Sequence, residues 1–299
     1  MRSIFAVLLA CSLPCAAHAA DWHPFRWYMA SIGGGPVERV AMLLPVKVNG
    51  VDCRVQLDTA VGQELIWTRQ SPAVQPQQPA ASAQPALIEL AGIRKSVSAQ
   101  AANLEPLTAE NCSAGTIATV GSAFFEHGTL TLDLGRARFA FAASARLADE
   151  PAARPFRYTR LAEGGGPPLV ELKRPGGKTG YAVLDTGSAR FDLAALTRQQ
   201  WDDLSGGLPP EAGPKVRAFS VPSWGRQLPC YETMLDGGFE VGGASVPQAN
   251  VSYCIDEGFR PPADTLGVLG MRPFGDRVIT LDFLSQRWRL SDRPSSSGL

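Results

Sequence analysis

The residues best placed to do chemistry are two Asp-Thr pairs. Asp58-Thr59 follows the strand-like run Val55-Gln56-Leu57, and Asp185-Thr186 follows Ala182-Val183-Leu184. Each puts a carboxylate where a strand ends and a turn of small residues begins. If the fold brings the two turns together, the carboxylates cannot both ionise cheaply and hold one proton between them. One member then serves as base and the other as acid at a single point.

The elements that must position these residues also occur twice. Val55 to Trp67 is answered by Ala182 to Ala194, each a strand, an Asp-Thr, a turn and more apolar residues. Leu87 to Val97 is answered by Gly238 to Val246, each a strand, a Gly turn and a return strand. Val120 to Phe141 aligns without gaps on Leu269 to Leu290, matching Gly121 with Gly270, Phe125 with Phe274, Thr131-Leu132-Asp133 with Thr280-Leu281-Asp282, and Arg138 with Arg287. Matches in the same order argue for duplication, hence two related, mainly β lobes about a pseudo-two-fold axis. The expected divisions are an N-terminal segment over 20–35, a first lobe over 36–145, a Pro/Gly/Ala-rich linker over 146–166, a second lobe over 167–292 and a tail over 293–299.

On these residues the chain resembles the pepsin-like aspartic peptidases. Asp185-Thr186-Gly187-Ser188 matches the family's Asp-Thr-Gly-Ser motif in full, after an apolar strand. Thr119-Val120-Gly121 and Val268-Leu269-Gly270 resemble the apolar-apolar-Gly element that closes each lobe's psi-shaped loop. The resemblance implies a bilobal double β-barrel with Asp58 and Asp185 as the catalytic pair. It further implies that a water activated between them attacks a peptide carbonyl, and that Thr59 and Thr186 cross-link the two turns beneath them. No cofactor and no metal are implied.

The first motif departs from the pattern: Ala60 stands where the family has Gly, and Val61 where it has Ser. A methyl at Ala60 takes space where backbone closely approaches substrate. Val61 lacks the hydroxyl that Ser188 can offer its carboxylate, so Asp185 is expected to be the more acidic member and Asp58 to carry the proton. The family's Tyr-bearing hairpin over the cleft also has no counterpart in Thr68 to Ala86, which holds neither Tyr nor Gly.

The remaining features bound the context. The chain has 299 residues, with 28 basic and 28 acidic side chains, so no basic field favours nucleic acid. Residues 1–19 combine Arg2, an apolar run and the small-x-small site Ala17-His18-Ala19, a signal peptide for export to the periplasm or beyond. A lipoprotein anchor near Cys11 is the alternative, and no stretch reaches the roughly 18 apolar residues of a membrane span. The cysteines left after removal of the signal, Cys53, Cys112, Cys230 and Cys254, allow three pairings in an oxidising compartment; Cys53 with Cys112 and Cys230 with Cys254 keep each pair within one half of the chain. Gly176-Gly177-Lys178-Thr179 resembles a phosphate loop, but Leu172 replaces its first Gly and a strand follows, so a hairpin turn is expected. His127, in Glu126-His127-Gly128, is expected to be a solvent-exposed turn residue. Three functions fit: a monomeric endopeptidase acting on peptide or protein substrates, a pepsin-fold protein that binds peptides or inhibits enzymes without cleaving, and a β-rich adhesion or assembly module in which the paired aspartates are incidental.

Overall fold

The computed structural model describes residues 21–68, 83–100, 107–160, 164–211, 213–223, 225–255 and 264–292. The expected signal peptide, the tail over 293–299 and most of the interval from Thr68 to Ala86 lie outside the described residues.

The chain is mainly β, with the two related lobes of a bilobal, pepsin-like architecture. Its duplication is visible in one strand pairing. Thr129–Asp133 runs antiparallel to Val278–Asp282, and Thr131 lies directly opposite Thr280, its own counterpart in the repeat. Leu130 then faces Leu281 and Leu132 faces Ile279, so the register is symmetric about that point. Each of these strands pairs outward with its hairpin partner, Arg138–Ala142 on one side and Arg287–Ser291 on the other. His23–Pro24 and Arg154–Arg157 add the outer strands, completing six strands shared by the two lobes. Both outer strands come from the segments that precede the lobes, so the stretch 146–166 is partly strand rather than wholly loop.

Period-two alternation gives this shared sheet two unlike faces. Leu130, Leu132, Phe139, Ile279, Leu281 and Trp288 are buried in the same apolar core as Leu57 and Leu184, which immediately precede the two aspartates. Thr131 and Thr280 lie on the other face.

Within each half, the strand leading into Asp-Thr joins the same three-strand unit. Val51–Leu57 runs parallel to Ala118–Val120, which also pairs antiparallel with Leu65–Trp67. In the second half Thr179–Leu184 runs parallel to Thr265–Leu269, which pairs antiparallel with Leu193–Ala195. The sheets that result are unequal. One path of hydrogen-bonded strands runs from the shared sheet through the whole second half, whereas the first half keeps a separate seven-stranded sheet.

The disulfides are Cys53–Cys112 and Cys230–Cys254. The first ties the strand before Asp58 to the short helix Ala109–Ala114. The second joins residues directly opposite one another on paired strands. Two disulfides fit an oxidising compartment. Among the described residues no helix is long and apolar enough to cross a membrane.

Candidate active site

Each aspartate sits where an outer strand of its three-strand unit runs out, beside the end of the central strand. The N–H of Asp58 donates to Val120 O at 3.0 Å and that of Asp185 to Leu269 O at 2.9 Å, so both turns hang from the same position of the duplicated unit. The glycines that follow those carbonyl residues are required by space. A side chain on Gly121 would collide with the carbonyl oxygens of Val61 and Gln63, and one on Gly270 with those of Ser188 and Phe191.

The two turns are fastened to each other beneath the carboxylates. The N–H of Thr59 donates to Thr186 Oγ1 at 3.0 Å, and the N–H of Thr186 donates to Thr59 Oγ1 at 3.1 Å. The Thr59 hydroxyl in turn donates to Leu184 O at 2.5 Å. Both threonines are fully buried, where every unmatched polar group is costly, so this reciprocal set specifies one relative placement of the turns.

That placement brings Asp58 and Asp185 within mutual hydrogen-bonding reach, each more than nine-tenths buried. Gly187 passes so close that a Cβ there would stand 2.5 Å from Asp58 Oδ2 and 3.1 Å from Asp185 Oδ1. The carboxylates are then held by unequal partners. Asp58 Oδ1 accepts from the N–H groups of Ala60 at 3.0 Å and Val61 at 3.3 Å. Asp185 Oδ1 accepts from Gly187 N–H at 2.7 Å, and Oδ2 accepts from the Ser188 hydroxyl at 2.6 Å.

The electrostatics follow from those partners. Burial pushes the Asp58 carboxyl well above its ordinary range, and the neighbouring Asp185 charge adds to it. Burial raises Asp185 too, but the Ser188 hydroxyl and a hydrogen bond from Asp58 oppose the rise. Both directions favour placing a shared proton on Asp58 and the charge on Asp185. Val61, which has no hydroxyl to give, is the residue that makes the pair unequal.

Several polar contacts around these turns were not evident in the sequence. Arg190, five residues past Asp185 and 3% exposed, binds Glu38 at 2.8 Å and Glu232 at 3.2 Å. Arg272 donates from Nε to Arg190 O at 2.7 Å, and Asn250 N–H donates to Asp192 Oδ2 at 2.8 Å. On the first side Ser122 Oγ lies 2.7 Å from Gly166 O and 3.1 Å from Val61 O. Gly165 packs directly against Gly62 O, so the linker forms part of the support of the Asp58 turn. The one available signal was charge embedded in the apolar stretch Ala189-Arg190-Phe191-Asp192-Leu193.

The other sequence features fall elsewhere. Pro175–Gly177 is the turn between the paired strands Leu169–Lys173 and Thr179–Leu184, with Gly176 and Gly177 at positive φ, so it is a hairpin turn. His127 has a side chain 66% exposed, beside Glu126 at 3.6 Å.

No protein-family model matches the chain, and no curated protein does either. Among solved structures, the chain is similar to the aspartic proteinase from Irpex lacteus, at 10% identity and a TM-score of 0.44, over 94% of this chain and 99% of that one.

Proposed function

We propose that the protein is an aspartic endopeptidase that hydrolyses peptide bonds with a water held between Asp58 and Asp185. The observation that carries this reading is the buried carboxyl pair, delivered by two equivalent turns and locked by the Thr59–Thr186 cross-link. Ionised Asp185 accepts a proton from the water as its oxygen attacks the scissile carbonyl carbon, and protonated Asp58 donates to the carbonyl oxygen as the C–O bond forms. Collapse of the tetrahedral adduct breaks the C–N bond and returns a proton to the leaving amine. Such a pair needs no metal. The substrate is an extended peptide bound by a monomer, and the paired disulfides fit an exported protein.

Ala60 and Val61 favour a second reading, a protein of this fold that binds peptides without cutting them. The first turn carries a methyl where the second has bare backbone, and it lacks the hydroxyl that orients Asp185.

The test is to incubate purified protein with a mixed peptide library from about pH 3 to pH 7, spanning carboxylate titration, beside Asp58→Asn and Asp185→Asn. Cleavage by the native protein alone is the expected result. Cleavage that survives in both variants overturns the dyad, whereas peptide retention without cleavage by any form selects the binding protein.

A further inference from the structure

The outward face of the shared sheet, turned away from the carboxyl pair, holds a groove of about 330 Å³ on the pseudo-two-fold axis. Thr131 and Thr280, the residues that face one another across the axis, line it. Four guanidinium side chains, Arg136, Arg138, Arg146 and Arg289, surround it against two carboxylates, Asp133 and Glu150, a formal excess of two positive charges. The chain as a whole is balanced at 28 of each sign, so this concentration is local.

The cations are incompletely matched. Asp133 is shared, accepting from Arg138 Nε at 2.9 Å and lying 3.4 Å from Arg136 Nη1. Arg289 has one carboxylate oxygen, from Glu150 at 3.0 Å, and its Nε is buried without a partner among the described residues. The Arg146 side chain is exposed, and its guanidinium makes no hydrogen bond or ion pair among the described residues. Trp22 closes one wall with its ring 4.2 Å from the Arg138 guanidinium, which fixes that fork in place.

We infer that this groove binds a small anion bearing at least two phosphate or carboxylate groups, at a site separate from the proposed peptide cleft. Arginine's planar fork suits both kinds of oxyanion, and several forks converging in a concave polar site select for a multiply charged ligand over a single charge. The cations come from both lobes and from the linker, so the bound anion holds the halves together along the axis and raises the melting temperature by linkage.

Trp22 supplies the readout. Titration of the full protein with inorganic pyrophosphate, and separately with succinate, is expected to change tryptophan fluorescence saturably and to raise the melting temperature. The two arms distinguish phosphate from carboxylate ligands, and saturation by either supports the site. Arg146→Ala and Arg136→Ala should each weaken binding about tenfold, as loss of one charge-assisted contact does, while Arg94→Ala on a distant hairpin leaves it unchanged. Trp22→Phe should lose the fluorescence change and keep the thermal shift. Absence of saturable binding by both anions, or binding indifferent to Arg146 and Arg136 in variants with native circular dichroism, overturns the inference. Asp58→Asn should bind the anion like the native protein, so failure here leaves the peptidase reading untouched and the converse also holds.

Discussion

At the residue scale, the site depends on a difference between two otherwise equivalent turns. The Ser188 hydroxyl donates to Asp185, whereas Val61 offers Asp58 its backbone N–H and no side-chain donor. Under the proposed mechanism the cleaving form carries one proton, so the acid limb would report protonation of Asp185 and the alkaline limb ionisation of Asp58. Ser188→Ala removes support from the ionised Asp185, raises its pKa and moves the acid limb to higher pH. Val61→Ser adds a hydroxyl donor to ionised Asp58, lowers its pKa and moves the alkaline limb to lower pH. Profiles of kcat/KM against pH for both variants check the signs; limbs that stay in place would contradict the proton assignment. Much of this was legible before any coordinates, because Asp185-Thr186-Gly187-Ser188 and Ala60-Val61 differ in the donors they can present. The surroundings were not. Arg190, Glu38 and Glu232 lie far apart in the chain, and no local pattern foretells an ion pair whose members come from different elements.

At the element scale, the decisive structure is the pair of three-strand units and the cross-link between them. Thr186→Val would strip the acceptor from the buried Thr59 N–H, and the orphaned donor costs about 1–3 kcal/mol. The accompanying loss of alignment should lower kcat more than it raises KM. Thr186→Ser keeps the hydroxyl and should restore most of both, measured by chemical denaturation and by turnover of one peptide. Turnover at the native level in Thr186→Val would show that the cross-link does not position the pair. The repeats gave these units away because a strand, an Asp-Thr and a downstream Gly recurred in one order. What they could not supply was the role of the linker. Its Gly, Pro and Ala content reads as a boundary, yet Arg154–Arg157 is a strand and Gly165 abuts Gly62. Both facts depend on long-range pairing that composition does not encode.

At the scale of the whole molecule, the carboxyl pair weighs against stability. A buried carboxylate whose folded pKa lies above its unfolded value costs nothing when both states are protonated. The cost appears as pH rises past the unfolded value and is complete above the folded one. Asp58→Asn should therefore melt at a higher temperature than the native protein near neutral pH, with the advantage shrinking as pH falls toward about 3. Asp282 acts in the opposite sense. Burial pushes it up, but donors from the N–H groups of Leu147, Ser285 and Arg146 prevail and hold its pKa below the usual range. Its contribution is present above the unfolded carboxylate value and disappears as pH drops through its own lowered pKa. Thermal melts of Asp58→Asn and Asp282→Asn across that range separate the two; a Asp58→Asn difference that does not vary with pH would mean that ionisation of the pair carries no global cost.

The unequal sharing of strands between the halves has a mechanical corollary. The second half is continuous by ladder hydrogen bonds with the central platform, while the seven-stranded sheet of the first half is joined to the rest by side-chain packing, chain connections and side-chain polar contacts such as Arg190–Glu38 and Arg39–Asp276 rather than by a ladder. Sliding a packed interface is easier than parting a ladder. The seam without a ladder is therefore where relative displacement of the halves would be cheapest, and the Thr59–Thr186 contact and the Arg190–Glu38 ion pair are the ties that resist it.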